Sequence, residues 1–247
     1  MSASGHCFGP RRRSSAVLGE LLHSMSQPLT GLRCSLELTL QLPLELPVKE
    51  VVEQQQESVA AALQQTERVI GMVRLMREYL DAEQPGQANF SSALAPVLRG
   101  VVEELASIAA VRGVELRLVG TCAENLQLPE SRLRLALQYL IATVVDEQPG
   151  GGRVMLLLGE GPAGTVLRAE GGPDRRGSER SAAPACDSAS TLRRVRIAIA
   201  RRVLENAGAS LVFNRRFDGV SSDVGQAGVG AAGFVLRIPR RAVEPGR

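Results

Sequence analysis

The chain has 247 residues, 44% of them hydrophobic, enough to build two modest domains with cores of their own. A net charge of +3 demands neither a nucleic acid nor an acidic membrane as partner, and aromatics at 3% argue against base-stacking platforms. The four cysteines, Cys7, Cys34, Cys122 and Cys186, form no CxxC or Cys/His pair, which points to reduced thiols rather than zinc or a disulfide framework. No run approaches the roughly 18 apolar residues of a membrane helix, and Arg11-Arg12-Arg13 leads into a helix interrupted by Glu20 and His23 rather than a signal peptide. A cytoplasmic protein that does not cross a membrane is the expectation.

Residues 1–14, rich in Ser, Gly and Arg, are expected to be disordered. A helix then starts at Ser15, with Ser14 or Ser15 as its cap. Leu18, Leu22, Met25, Leu29, Leu32 and Leu36 recur at alternating spacings of four and three, the pattern of a bundle seam. Pro43 and Pro47 bracket a turn. A second helix over 48–82 carries Val52, Val59, Thr66, Val73 and Leu80 at every seventh position, with Ala62, Val69 and Met76 on a neighbouring seam. Two helices cannot cover both seams, so a homodimer forming a four-helix bundle is the economical arrangement.

After a linker at 84–88 the pattern changes to mixed helix and strand over 89–240, with a short tail at 241–247. A short strand is expected at 89–91 and a helix over Leu94–Val111 that ends at Gly113. Further strands are expected at 114–119, 153–158, 165–169, 210–215 and 233–238. Helices are expected at 130–145 and 192–207, the last closed by Gly208. Residues 171–190 read as a loop. The fold class is α+β: a helical hairpin, then a mixed sheet with helices on one face.

The stretch Leu18-Gly19-Glu20-Leu21-Leu22-His23-Ser24-Met25-Ser26-Gln27-Pro28-Leu29-Thr30 resembles the H-box of sensor histidine kinases, in which a phosphoacceptor histidine is followed by a Pro-Leu pair. A mid-helix proline costs about 3 kcal/mol, and in that family it bends the helix beside the phosphorylation site. His23 is one position past the seam residue Leu22, on the flank of a bundle where a partner can reach it, and a neutral imidazole has a ring nitrogen to attack phosphorus. The resemblance implies that His23 is the phosphoacceptor. Ser24 departs from the pattern, because the family places an acidic residue there that helps the imidazole attack ATP. Gln27 falls where relatives place an amide or hydroxyl that positions water for phosphatase action; an ordinary solvent-facing glutamine reads equally well.

Residues 88–240 resemble the ATP-binding domain of the same family in framework, a Bergerat-like α/β sandwich. Its nucleotide boxes are all altered. Tyr139 and Thr143 stand where the family has two asparagines, and a threonine lacks the carbonyl oxygen that helps hold Mg²⁺. Glu170-Gly171-Gly172-Pro173-Asp174 stands in place of Asp-x-Gly-x-Gly. Glu170 has an extra methylene, Asp174 puts a carboxylate near phosphates, and Gly171-Gly172-Pro173 reads as a tight turn. Arg194 and Arg196 replace the glycines whose bare backbone meets phosphate; they read either as a repurposed anion site or as a solvated basic helix end.

The resemblance therefore implies a pseudokinase similar to histidine phosphotransferases that do not bind ATP. Such a protein exchanges a phosphoryl group between His23 and response-regulator receiver domains, and uses no resident cofactor or metal. The receiver supplies Mg²⁺ and most of the catalytic machinery. The alternatives are a divergent kinase that still autophosphorylates His23 with ATP, and a dimeric regulator that never carries phosphate.

Overall fold

The computed structural model describes residues 11–40, 48–84, 90–148, 150–172, 187–213 and 233–240. They divide into two compact units. The first holds helix α1 (Arg11–Leu40), helix α2 (Val48–Glu83) as far as Asp81, and the first turns of helix α5 (Asp187–Asn206) through Val195. The second holds the remaining elements and α5 from Arg196 onward.

α1 starts at Arg11, so residues 11–14 are helical where disorder was expected, and no cap at Ser14 or Ser15 is needed. Arginine is a good helix former and carries the helix upstream. The helix is rich in hydroxyls that ordinarily compete with helical backbone. Here Thr30, Ser35 and Thr39 each donate to the carbonyl four residues earlier, at 2.8, 3.0 and 2.9 Å, so the hydroxyls are satisfied within the helix. The expected turn at Pro43 and Pro47 and most of the expected linker lie outside the described residues.

A single chain covers only part of the expected seams. Leu22, Leu29 and Leu36 are exposed, and Leu18, Met25 and Leu32 are half-buried. The buried line of α1 is instead Leu21, Ser24 and Pro28. On α2, Val52, Val59, Val73 and Leu80 are exposed, while Ala62, Met72, Leu75 and Tyr79 are buried. Each helix of a single chain thus buries one line and leaves a heptad of apolar side chains uncovered. Close approach between the two helices is visible at Gly31, where an added Cβ would lie 3.5 Å from the Gln65 side chain.

In the second unit, strands β2 (Glu115–Gly120), β4 (Arg153–Gly161), β5 (Gly164–Gly172), β7 (Gly233–Pro239) and β6 (Ser210–Phe213) lie side by side in that order. β2 and β4 are parallel and the other pairs antiparallel. Alternation puts Val154, Leu156, Leu158, Leu167, Ala169, Leu236 and Ile238 on one buried face. Helices α3 (Leu94–Val111), α4 (Glu130–Asp146) and α5 supply its apolar cover through residues such as Leu98, Leu137, Leu140, Ile141 and Ile199. This is the expected α+β arrangement of a helical hairpin followed by a mixed sheet with helices.

Both expected glycine stops are present. Gly113 has φ 70° and Gly208 φ 84°, and the residue after each donates to the carbonyl five positions back, closing α3 and α5. The short strand expected at 89–91 lies instead at Ser92–Ala93 (β1), paired with an unexpected β3 (Asn125–Leu126) and held by the buried Ser92 hydroxyl, which donates to the Leu128 carbonyl at 2.7 Å. α5 starts at Asp187 rather than Leu192, which shortens the loop expected to run to 190.

Gly164 closes the β4–β5 hairpin at φ 138°, where an added Cβ would fall 2.0 Å from the Ile238 carbonyl oxygen; at Gly159 it would meet nothing within 4 Å. Gly164→Ala is therefore expected to lower stability by roughly 1–3 kcal/mol, and Gly159→Ala to stay within about 0.5 kcal/mol of the parent, both read from urea unfolding midpoints. Equal midpoints for the two variants would refute this account of the hairpin.

Candidate functional site

The rotation of α1 sets the position of His23. At about 100° per residue, His23 is about 200° around the helix from Leu21 and about 100° from Ser24, which puts it opposite the buried line. Its side chain is exposed. Gln27 is about 40° from His23 on the same face and is also exposed, as are Ser26 and Thr30. Pro28, one turn further on, is buried and has no N–H to give the Ser24 carbonyl, so the backbone hydrogen-bond ladder is interrupted beside the histidine. Ser24 is 8% exposed and faces inward, so a carboxylate at this position would sit among buried neighbours rather than in water.

Within the first unit, Arg194 lies 3.5 Å from the Glu20 carboxylate, three residues before His23, and 3.4 Å from the Thr191 hydroxyl. Both charged partners are largely exposed, so this ion pair contributes little stability.

In the second unit, the positions compared by sequence with nucleotide boxes meet one another or turn away. The Arg196 guanidinium carbon stands 5.7 Å from the centre of the Tyr139 ring, a cation–π contact between α5 and α4. The Arg196 Nε is buried and makes no hydrogen bond. Thr143 is 3% exposed, and its hydroxyl donates to the Tyr139 carbonyl at 2.6 Å, the back-bond of a helical threonine. Glu170 is on the exposed face of β5, opposite the helices, and is ion-paired with Arg168 at 3.3 Å.

Gly171 and Gly172 are not a tight turn; they extend β5 and pair with Val154 and Arg153 of β4. An added Cβ at Gly171 would fall 2.0 Å from the Gln148 side-chain amide, the movable end of a flexible side chain that donates to the Val144 carbonyl. Gly172 has open space above it, and Pro173 and Asp174 lie outside the described residues. Sequence reasoning singled out Tyr139 and Arg196 separately; their contact depends on the packing of α4 against α5. It missed Gln148 because an amide at a helix end carries no pattern of its own.

No protein-family model matches the chain, and no curated protein matches it. Solved structures do. The chain is similar to an Acinetobacter baumannii histidine kinase, AdeS, with TM-score 0.57 and 14% identity over 88% of this chain and 97% of that one. The fold is that of a histidine kinase core. A second likeness is to full-length ShkA in complex with AMPPNP, with TM-score 0.51 and 16% identity, covering 94% of this chain and 47% of that chain. At such identities the likeness fixes the histidine kinase fold and leaves the chemistry to the residues present. No helix among the described residues is long and apolar enough to cross a membrane, and the described residues contain no group of His, Cys, Asp and Glu that could hold a metal.

The Arg196–Tyr139 contact makes a measurable claim. A double-mutant cycle with Arg196→Met and Tyr139→Leu, followed by urea unfolding, is expected to give a coupling energy of about 0.5–2 kcal/mol. Additive effects would mean that the two side chains do not interact.

Proposed function

We propose that this chain is a two-component phosphorelay protein: a histidine phosphotransferase that carries phosphate on His23 between response-regulator receiver domains without using ATP. In the transfer, a ring nitrogen of neutral His23 attacks phosphorus of a receiver's aspartyl phosphate. The N–P bond forms as the P–O bond to the aspartate breaks, and the carboxylate leaves unprotonated. The reverse step returns the phosphoryl group to another receiver. Such a protein needs an imidazole held outward on a rigid helix, and the burial of Leu21, Ser24 and Pro28 supports that role for His23. Gln27, exposed one turn away on the same face, is the residue we assign to orienting water near the same phosphoryl group.

What favours this reading over an ATP-using kinase is the contact of Arg196 with Tyr139. ATP with Mg²⁺ is the group this fold implies, and the residues present do not fit it. By the resemblance, an arginine and a tyrosine stand at the positions where backbone and asparagine would meet phosphate and metal, and here they contact each other instead. The Thr143 hydroxyl is committed to its own helix, and Glu170 faces away from the helical layer. Ser24 in its inward position supplies no carboxylate to assist attack on a nucleotide. Receiver-to-histidine transfer requires none of these groups.

The uncovered heptads on α1 and α2 support a homodimeric four-helix bundle. With Leu29→Glu and Leu36→Glu combined, sedimentation should shift from dimer to monomer; an unshifted dimer would place the interface elsewhere.

The relay is tested by incubating the protein with a phosphorylated response-regulator receiver domain. Loss of phosphate from the receiver and acid-labile label on this chain are expected, both abolished by His23→Gln. Mg-ATP should neither label the chain nor raise its melting temperature. Labelling by Mg-ATP at His23 would establish the kinase reading instead, and transfer unaffected by His23→Gln would remove the histidine from the mechanism.

A further inference from the structure

The outer face of the five-stranded sheet, away from the helices, is unusual for a solvated surface. Strand register brings Val119, Leu157, Arg168, Val235 and Val212 into one row across all five strands. Val119 and Val212 are 50% and 55% exposed, and Met155 and Val166 flank the row on either side. A solvated antiparallel face ordinarily alternates to polar side chains; this one keeps aliphatic residues in its outward positions. Gly159, beside Val166, leaves the floor of the patch open, with nothing within 4 Å of an added Cβ.

Charge on this face is one-sided. Its described outward positions hold four arginines (Arg117, Arg153, Arg168, Arg237) against two carboxylates (Glu115, Glu170), a surplus of two positive charges. Both carboxylates are already engaged on the face itself. Glu115 accepts from Arg153 at 2.6 Å and from Arg117, and Glu170 pairs with Arg168. The hydrogen bond from Arg153 foremost holds the Glu115 carboxyl below the usual carboxylate range, with Arg117 adding to it.

We propose that this face is a docking surface for an amphipathic helix of a partner protein whose apolar stripe is flanked by aspartate or glutamate. Aliphatic residues across the strands match the apolar stripe, and the surplus guanidinium groups match acidic flanks. A helix laid there would complete a second helical layer on a sheet that has one among the described residues. The low aromatic content, with valines rather than bulky aromatics at the outward positions, favours a protein helix over a membrane, which takes protruding bulky side chains. This inference stands apart from the relay reading, since it uses no residue of α1 and, of the positions compared with the nucleotide boxes, only Glu170 as the partner of Arg168.

The test uses the full chain and a labelled, designed helical peptide with leucines at i, i+3, i+4 and i+7 flanked by glutamates, followed by fluorescence anisotropy. Binding is expected. Arg168→Glu with Arg237→Glu should weaken it by roughly tenfold or more, and the same variant should gain affinity for a lysine-for-glutamate version of the peptide. Protection from amide exchange should fall on β4, β5 and β7. Arg237→Gln, a milder change, should weaken binding in the same direction if the double variant unfolds. Absence of binding, indifference to both variants, or protection confined to α1 and α2 would overturn the proposal. So would association with phosphatidylserine vesicles in place of the peptide, or self-association of the chain lost in the same variants, because each names a different occupant.

Discussion

The burial of Leu21, Ser24 and Pro28 fixes how α1 is rotated about its own axis, and most of what the first unit can do follows from that rotation. An α-helix has few ways to hide three side chains at spacings of three and four, and each choice commits every other residue to a face. With these three inward, His23, Ser26, Gln27 and Thr30 are outward, and the leucines at 22, 29 and 36 form a second, uncovered line. A rotation of one residue would have buried the imidazole among apolar neighbours and made it a packing element.

The inward face is also unusually small and polar. Ser24, Gly31 and Ser35 lie on or near it, and hydroxyls that might have sought partners elsewhere bond back along the helix. Small residues let helices approach closely, as Gly31 and Gln65 do, while a proline in the same line interrupts the backbone ladder. Local helix-weakening features are therefore gathered around the histidine, on a helix whose order comes from packing rather than propensity.

The second unit shows the converse relation between a fold and its chemistry. A sheet covered by three helices can keep its core while the residues above it change, because the core depends on aliphatic alternation and not on the polar groups at its edge. Tyr139 and Arg196 illustrate this. Each is large, and each stands where the sequence resemblance led one to expect a small or amide-bearing residue. They settle against one another with the ring face toward the guanidinium. Gln148 over Gly171 is a second such contact, in which a side-chain amide fills the space a glycine leaves.

Element types, the change from long helices to mixed sheet near residue 84, the glycine stops at 113 and 208, and His23 with Pro28 as a pair were all legible in the sequence. They rest on short-range rules: apolar periodicity, the freedom of glycine at positive φ, and the cost of proline in a helix. The sequence misled where the deciding partner was distant. It marked the leucine heptad as a bundle seam but did not mark the line that a single chain buries, which contains a serine and a proline that no hydrophobic pattern singles out. It read Gly171-Gly172 as a turn, whereas pairing with Val154 and Arg153 made them strand. Sequence alone thus determined which segments are helix or strand and which histidine stands out. Tertiary structure decided which faces are hidden and which altered side chains touch, because burial and contact depend on residues far apart in the chain.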